Sequence, residues 1–102
     1  MRRPRLSRRA LVDVELIWNF LAENVSFEFA EKVGSEIEGA ILRIGSSPGI
    51  GHSRPDVHDE DLLFYAVRGY LIVYEKTPRP IRINRVIHGS RDLPTLFNLY
   101  DK

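Results

Sequence analysis

Ten residues near the C-terminal end of the chain, "RVIHGSRDLP" (85–94), gather most of the side chains equipped for chemistry. His88, Ser90 and Asp92 are the three group types of a nucleophilic triad, and Arg91 adds a fixed positive charge. A triad needs hydroxyl, imidazole and carboxylate in one line of hydrogen bonds, which closeness in sequence does not supply. Gly89 is placed to turn the chain between His88 and Ser90. Asp92 fits better as the cap of a short final helix starting at Leu93-Pro94, because proline is tolerated in a first helical turn. The stretch therefore reads as a contact surface that ends a sheet, with no catalytic role assigned to it. His88 is either part of that surface or a polar strand terminus satisfied by a backbone carbonyl.

Other candidates are weaker. His52 and His58 flank Asp56, with Asp59, Glu60 and Asp61 beside them, and such ligands suit a divalent metal. The segment is a proline- and glycine-rich loop without a known ligand spacing, so no metal site is expected. Arg85 stands two steps from both Ile83 and Ile87 in "IRINRVI", which puts it on their face of a strand. If buried, its guanidinium needs a partner such as Asp13 or Glu15; if exposed, it is an anion-recognition group. Arg68, Arg82, Arg91 and the N-terminal arginines form a candidate phosphate-attracting surface, with Tyr65, Tyr70 and Tyr74 as possible stacking platforms.

These groups must be positioned by a small set of elements. "RPRLS" (3–7) predicts a short extended piece, since Pro4 biases Arg3 away from helix. Ser7 is a suitable N-cap for a helix whose inner face is Ala10, Leu11, Val14, Ile17, Trp18 and Leu21. Val12, Leu16 and Phe20 make a second stripe four residues apart, a surplus for a helix with one face in water. Asn24 or Ser26 caps a second helix lined by Phe29, Ala30, Val33, Ile37, Ala40, Ile41 and Ile44. Gly34 and Gly39 within it each cost about 1 kcal/mol relative to alanine, which close approach of the first helix would offset. Residues 45–61 predict a loop. "LLFYAV", "YLIVYEK" and "IRINRVI" predict three strands joined by tight turns at Arg68-Gly69 and at 77–80, an antiparallel meander. The fold class is α+β in the order β-α-α-β-β-β, a helical hairpin packed on one face of a small, mostly antiparallel sheet that the N-terminal strand joins.

At 102 residues the chain is expected to form one domain, 1–102. No apolar run approaches the roughly 20 residues of a transmembrane helix, and no signal-peptide core follows the cationic start. The chain has no cysteine, so disulfides and thiolate metal sites are excluded and a cytoplasmic location is expected. The net charge of +1 hides a segregation. Residues 1–9 carry five arginines and no acid, residues 10–61 carry three basic residues against eleven acids, and residues 62–102 carry seven against three. Should the two basic ends meet in space, they make one cationic face.

Four stretches carry a resemblance that spans nearly the whole chain: "LSRRALVDVELIWNFLAE", "ILRIGSSPGIGHSRP", "VRGYLIVYEK" and "IRINRVIHGSRDLP". In this order and at these gaps the chain resembles the ParE/RelE superfamily of small bacterial toxins of type II toxin–antitoxin pairs. The ending around His88, Arg91 and Asp92 favours the ParE branch. The resemblance implies a toxin neutralised by a ParD-like antitoxin that lays a segment along an apolar groove, giving Val12, Leu16 and Phe20 a purpose. The alternative is that this stripe packs against the N-terminal strand or the C-terminal tail. By the same resemblance the target is DNA gyrase, inhibited by protein–protein contact without turnover, and DNA is reached only through the antitoxin. No cofactor is implied. Arg68, Arg85, His88 and Arg91 are the candidate target-binding residues. The runner-up function is a ribosome-dependent messenger RNA endoribonuclease of RelE type. Against it, Phe97 stands where such ribonucleases have a proton-transferring tyrosine or histidine, although Tyr100 lies three residues on.

Overall fold

The structure, a computed structural model, describes residues 3–53, 62–76 and 80–89. Strand β1 (Arg5–Leu6) leads into α1 (Arg8–Asn24) and α2 (Phe27–Ser46). A 3-10 turn (Pro48–Ile50) and a two-residue strand β2 (His52–Ser53) come next, then β3 (Leu62–Val67), β4 (Tyr70–Glu75) and β5 (Arg82–His88). The α+β order expected from the sequence stands, with β2 added inside what reads as loop. Two residues are too few to show a period of alternation, so β2 leaves no trace in the pattern.

Both helices start as their caps dictate. The Ser7 hydroxyl accepts the Ala10 N–H at 3.0 Å and donates to the Asn84 carbonyl at 2.8 Å, so the cap of α1 also ties it to β5. Of the two candidates for α2, Ser26 is the cap, accepting the Phe29 N–H at 3.0 Å. Asn24 stays with α1, donating to the Phe20 carbonyl. Glu28 in the first turn of α2 and Arg43 in its last turn both suit the helix dipole.

Ala30, Val33, Ile37, Ala40, Ile41 and Ile44 of α2 are buried, joined by Ala10 and Leu21 of α1 and by Ile72, Tyr74, Ile81, Ile83 and Val86 of the sheet side. Each fully buried isoleucine contributes about 2 kcal/mol of hydrophobic stabilisation. The opposite face of the sheet carries a smaller cluster of Leu62, Phe64, Val73 and Ile87. A Cβ on Gly34 would sit 3.7 Å from Trp18 Cδ1, an ordinary contact across the helical hairpin. A Cβ on Gly39 would meet only Arg43 of its own helix, so the expected packing reason for that glycine fails.

The sheet order is β1-β5-β4-β3-β2, antiparallel throughout except that β1 runs parallel to β5. Arg5 pairs with Arg82, so the two basic ends of the chain do meet. A bulge interrupts the β4–β5 ladder: Tyr74 faces Ile83, Val73 faces Arg85, and Asn84 is the extra residue. This overturns the expected shared face of Ile83, Arg85 and Ile87. Ile83 belongs to the helix-side core with Val86, whereas Ile87 belongs to the far cluster.

The buried Tyr74 closes the sheet onto the segment after α2. Its hydroxyl donates to the Pro48 carbonyl at 2.6 Å and accepts the Gly51 N–H at 2.9 Å. Burial raises its pKa, because the phenolate would lose its hydration. None of the helices among the described residues is long and apolar enough to cross a membrane.

Candidate functional site

Because β1 pairs only with Arg82 and Ile83, the edge of β5 is open from Asn84 onward, and α1 lies along it. An open edge exposes backbone donors and acceptors that need partners. Ser7 takes the Asn84 carbonyl, and the Asp13 carboxylate takes the Val86 N–H at 2.9 Å. The same carboxylate accepts from Arg85 Nε at 2.7 Å and Nη2 at 3.0 Å. Arg85 is 9% exposed, so of the two readings of this residue the structure supplies the ion pair, with Asp13 as partner.

Beyond this seam the surface opens into a groove of about 560 Å³. It is lined by Asp13, Leu16, Ile17 and Phe20 of α1 and by Tyr70 with Arg85–His88 of the sheet. Leu16 and Phe20 are 60% and 61% exposed, and Val12, one turn back, is 49% exposed. Spacing of four puts all three on one line along the helix. Among the described residues nothing covers that line. His88 meets Tyr70 edge to face, ring centroids 5.4 Å apart, at the end of the groove. The sequence candidates for two separate surfaces, Leu16 and Phe20 on one side and Arg85 and His88 on the other, therefore share one groove.

Arg68 stands apart from it. It occupies the first central position of the β3–β4 hairpin with φ +45°, and Gly69 follows with φ +78°. Positive φ at both central residues is what the right-handed strand twist requires of a two-residue turn. Its guanidinium reaches α2, with Nε 2.6 Å and Nη2 2.9 Å from the two Glu36 carboxylate oxygens, and lies 5.6 Å from the Phe29 ring centroid. The hydrogen bond from Arg68 lowers the Glu36 pKa, and the same bond raises that of Arg68. The Gly89 N–H donates to the Gly69 carbonyl at 2.8 Å, so Arg68 and His88 share one end of the sheet while pointing to different helices. Arg82 lies at the other end of β5, so Arg68 and Arg82 do not form a single phosphate-attracting surface.

Arg91, Ser90, Asp92, Phe97 and Tyr100 lie outside the described residues, as do Asp56, His58 and the acidic residues 59–61. Among the described residues, no group of three histidine or carboxylate side chains is arranged to hold a metal ion. Sequence reasoning missed Ile17 and Asp13 as groove residues: Ile17 fits the core stripe of α1, and Asp13 registers only as a partner for Arg85. The arrangement suits reception of apolar side chains from another polypeptide, with polar groups at one end to fix their direction.

Residues 5–93 match the family model described as the ParE toxin of type II toxin–antitoxin system, parDE. The chain is 30% identical over 90 residues to Toxin ParE1 of Caulobacter vibrioides, covering 88% of this chain and 92% of that one. Its fold is similar to a solved chain described as "Chromosomal ParDE TA system from P. aeruginosa". That likeness has a TM-score of 0.70 at 17% identity and covers 84% of this chain and 96% of the other.

Proposed function

The chain belongs to the ParE toxin family of type II toxin–antitoxin systems, and on that premise we propose that a ParD-like antitoxin neutralises it and that DNA gyrase is its target. One observation carries the antitoxin half of this reading: the exposed residues Leu16 and Phe20 line a groove together with Tyr70 and His88. Two large apolar side chains, adjacent and in water beside a concave surface, mark a docking site better than scattered exposed residues do. A helix or extended segment laid along α1 would cover Val12, Leu16 and Phe20 in turn and reach Tyr70, approaching the roughly 1,600 Å² of a standard complex.

Family likeness supports gyrase, inhibited by contact and without turnover. His88 at the rim of the groove and Arg68 at the adjacent turn are the described residues offered to that target. Arg85, locked against Asp13, acts on the surface by holding β5 to α1. An antitoxin seated in the groove would cover His88, so neutralisation and target contact would compete for one end of the sheet.

Induction of the chain without antitoxin tests the reading. A DNA-damage response with intact transcripts, together with loss of supercoiling by purified gyrase on addition of the chain, is the expected result. Cleaved transcripts with protein synthesis halted first would falsify it and favour the endoribonuclease.

A further inference from the structure

A second concave site lies at the other end of β5, and we propose that it binds phosphate groups of a nucleic-acid backbone. The site has a volume of about 460 Å³ and is lined by Arg5, Leu6, Ser7, Arg8, Pro80, Arg82 and Glu75, the last in register with Arg82 on β4. Its three guanidinium groups come from three elements: the N-terminal strand, the first turn of α1 and the start of β5. Arg5 and Arg82 are in register on adjacent strands, about 4.8 Å apart at the backbone. Like charges directly opposite each other on a sheet are unfavourable. Arg8 and Arg9 occupy the first turn of α1, which holds no acidic residue, although the helix dipole disfavours cations there. Among the described residues, no carboxylate forms an ion pair with Arg5, Arg8 or Arg82. By contrast Arg3, Arg68 and Arg85 each have one, with Glu38, Glu36 and Asp13.

Among the described residues the hollow thus gathers three cations against one carboxylate, Glu75, and keeps a net positive charge. An anion bound between them relieves the repulsion. The cations are all arginine, whose planar fork matches phosphate oxygens in pairs and is less hydrated than an ammonium group. Among the described residues no aromatic side chain lines the hollow, which favours backbone phosphate over stacked bases as the recognised feature. Arg82 begins β5 and His88 ends it, a separation of roughly 20 Å, so this site and the apolar groove can be occupied together. The chain would then touch nucleic acid directly, beyond any contact made through an antitoxin.

The test uses the full chain, a mixed-sequence DNA duplex of about 20 base pairs and inorganic phosphate as probes. Amide shifts on adding phosphate should centre on Arg5, Ser7, Arg8 and Arg82. Duplex binding should weaken about tenfold in Arg82→Gln and in Arg5→Gln, and the salt slope should fall by about 0.9 for each. The melting temperature of Arg5→Gln should hold or rise, as one of two adjacent like charges is removed; a fall would assign Arg5 to stability and overturn the proposal. Duplex affinity and salt slope unchanged in the triple variant Arg5→Gln/Arg8→Gln/Arg82→Gln would also overturn it. So would tighter binding of a polyglutamate peptide than of the duplex at equal salt, which would assign the hollow to an acidic polypeptide.

Discussion

Asp13 and Arg85 hold each other across the seam between α1 and β5 by two parallel hydrogen bonds, 2.7 and 3.0 Å, from positions 72 residues apart. Both side chains are about nine-tenths buried, so neither charge is hydrated well enough to stand alone. Asp13→Ala should therefore destabilise the chain by about 3 kcal/mol, a large share of the stability of a small domain. The pair Asp13→Leu/Arg85→Met should recover most of that loss, since replacing both charges by apolar groups is often near neutral. Urea unfolding of the single and double variants checks this. A double variant as unstable as the single one would show that the Val86 N–H, left without Asp13, matters more than the charges.

Much of this seam can be read from residue types, and some cannot. The Ser7 cap, the inner stripes of both helices apart from Leu11, which is 57% exposed, and the three long strands follow from local preference and spacing, which act within a few residues. The surplus stripe Val12-Leu16-Phe20 is visible too, because an exposed leucine and phenylalanine break the expected polarity of an outer helix face. Asn84 is different. In "IRINRVI" the alternation breaks at Arg85-Val86, but that break reads equally as one charged residue on the apolar face, and no glycine is present to mark a bulge. The bulge sends Ile83 and Ile87 to opposite faces. Pairing of Arg68 with Glu36 is equally hidden, because charge matching between a turn and a distant helix has no period.

The groove makes a sharp demand on Leu16. A charge there would lie in the apolar wall of the antitoxin site while leaving the core untouched, as the side chain is already 60% exposed. Leu16→Glu should weaken antitoxin binding about 30-fold with an unchanged melting temperature. Leu42→Glu, on the exposed side of α2 and away from the groove, should leave affinity unaltered. Calorimetric titration of each variant with the antitoxin decides it, and equal losses at both positions would remove the groove from the interface.

Tyr74 predicts an alkaline limit to stability. Its folded pKa is raised above the ordinary 10.0, so the fold favours the neutral phenol. The resulting stabilisation is complete below about pH 10 and is lost as pH rises through the folded value. Tyr74→Phe should lower stability at neutral pH by about 1–2 kcal/mol, leaving the Gly51 N–H and Pro48 carbonyl without their partner. It should also flatten the decline above pH 10. Gly51→Ala should act on the same contact, because its Cβ would fall 2.6 Å from the Tyr74 oxygen. Denaturation midpoints between pH 7 and 11 measure both effects.

Arg68 offers a way to separate folding from toxicity. Its backbone adopts a positive φ that asparagine tolerates better than arginine, so Arg68→Asn relieves the turn while removing the bond to Glu36. That bond is exposed to water and screened by salt, so its loss should cost little at physiological ionic strength. The melting temperature should hold, and killing should fall if the guanidinium touches the target. Glu36→Gln frees Arg68 without removing its charge, so killing by this variant should match or exceed that of the parent chain. The Glu36 carboxylate titrates below its ordinary 4.5 because Arg68 holds it, so the pair stabilises fully above that value and is lost on acidification through the lowered one. Stability of Glu36→Gln should therefore converge on the parent's as pH falls through that lowered value. Equal toxicity of Arg68→Asn and the parent at matched expression would assign the contact surface to His88 and the groove instead.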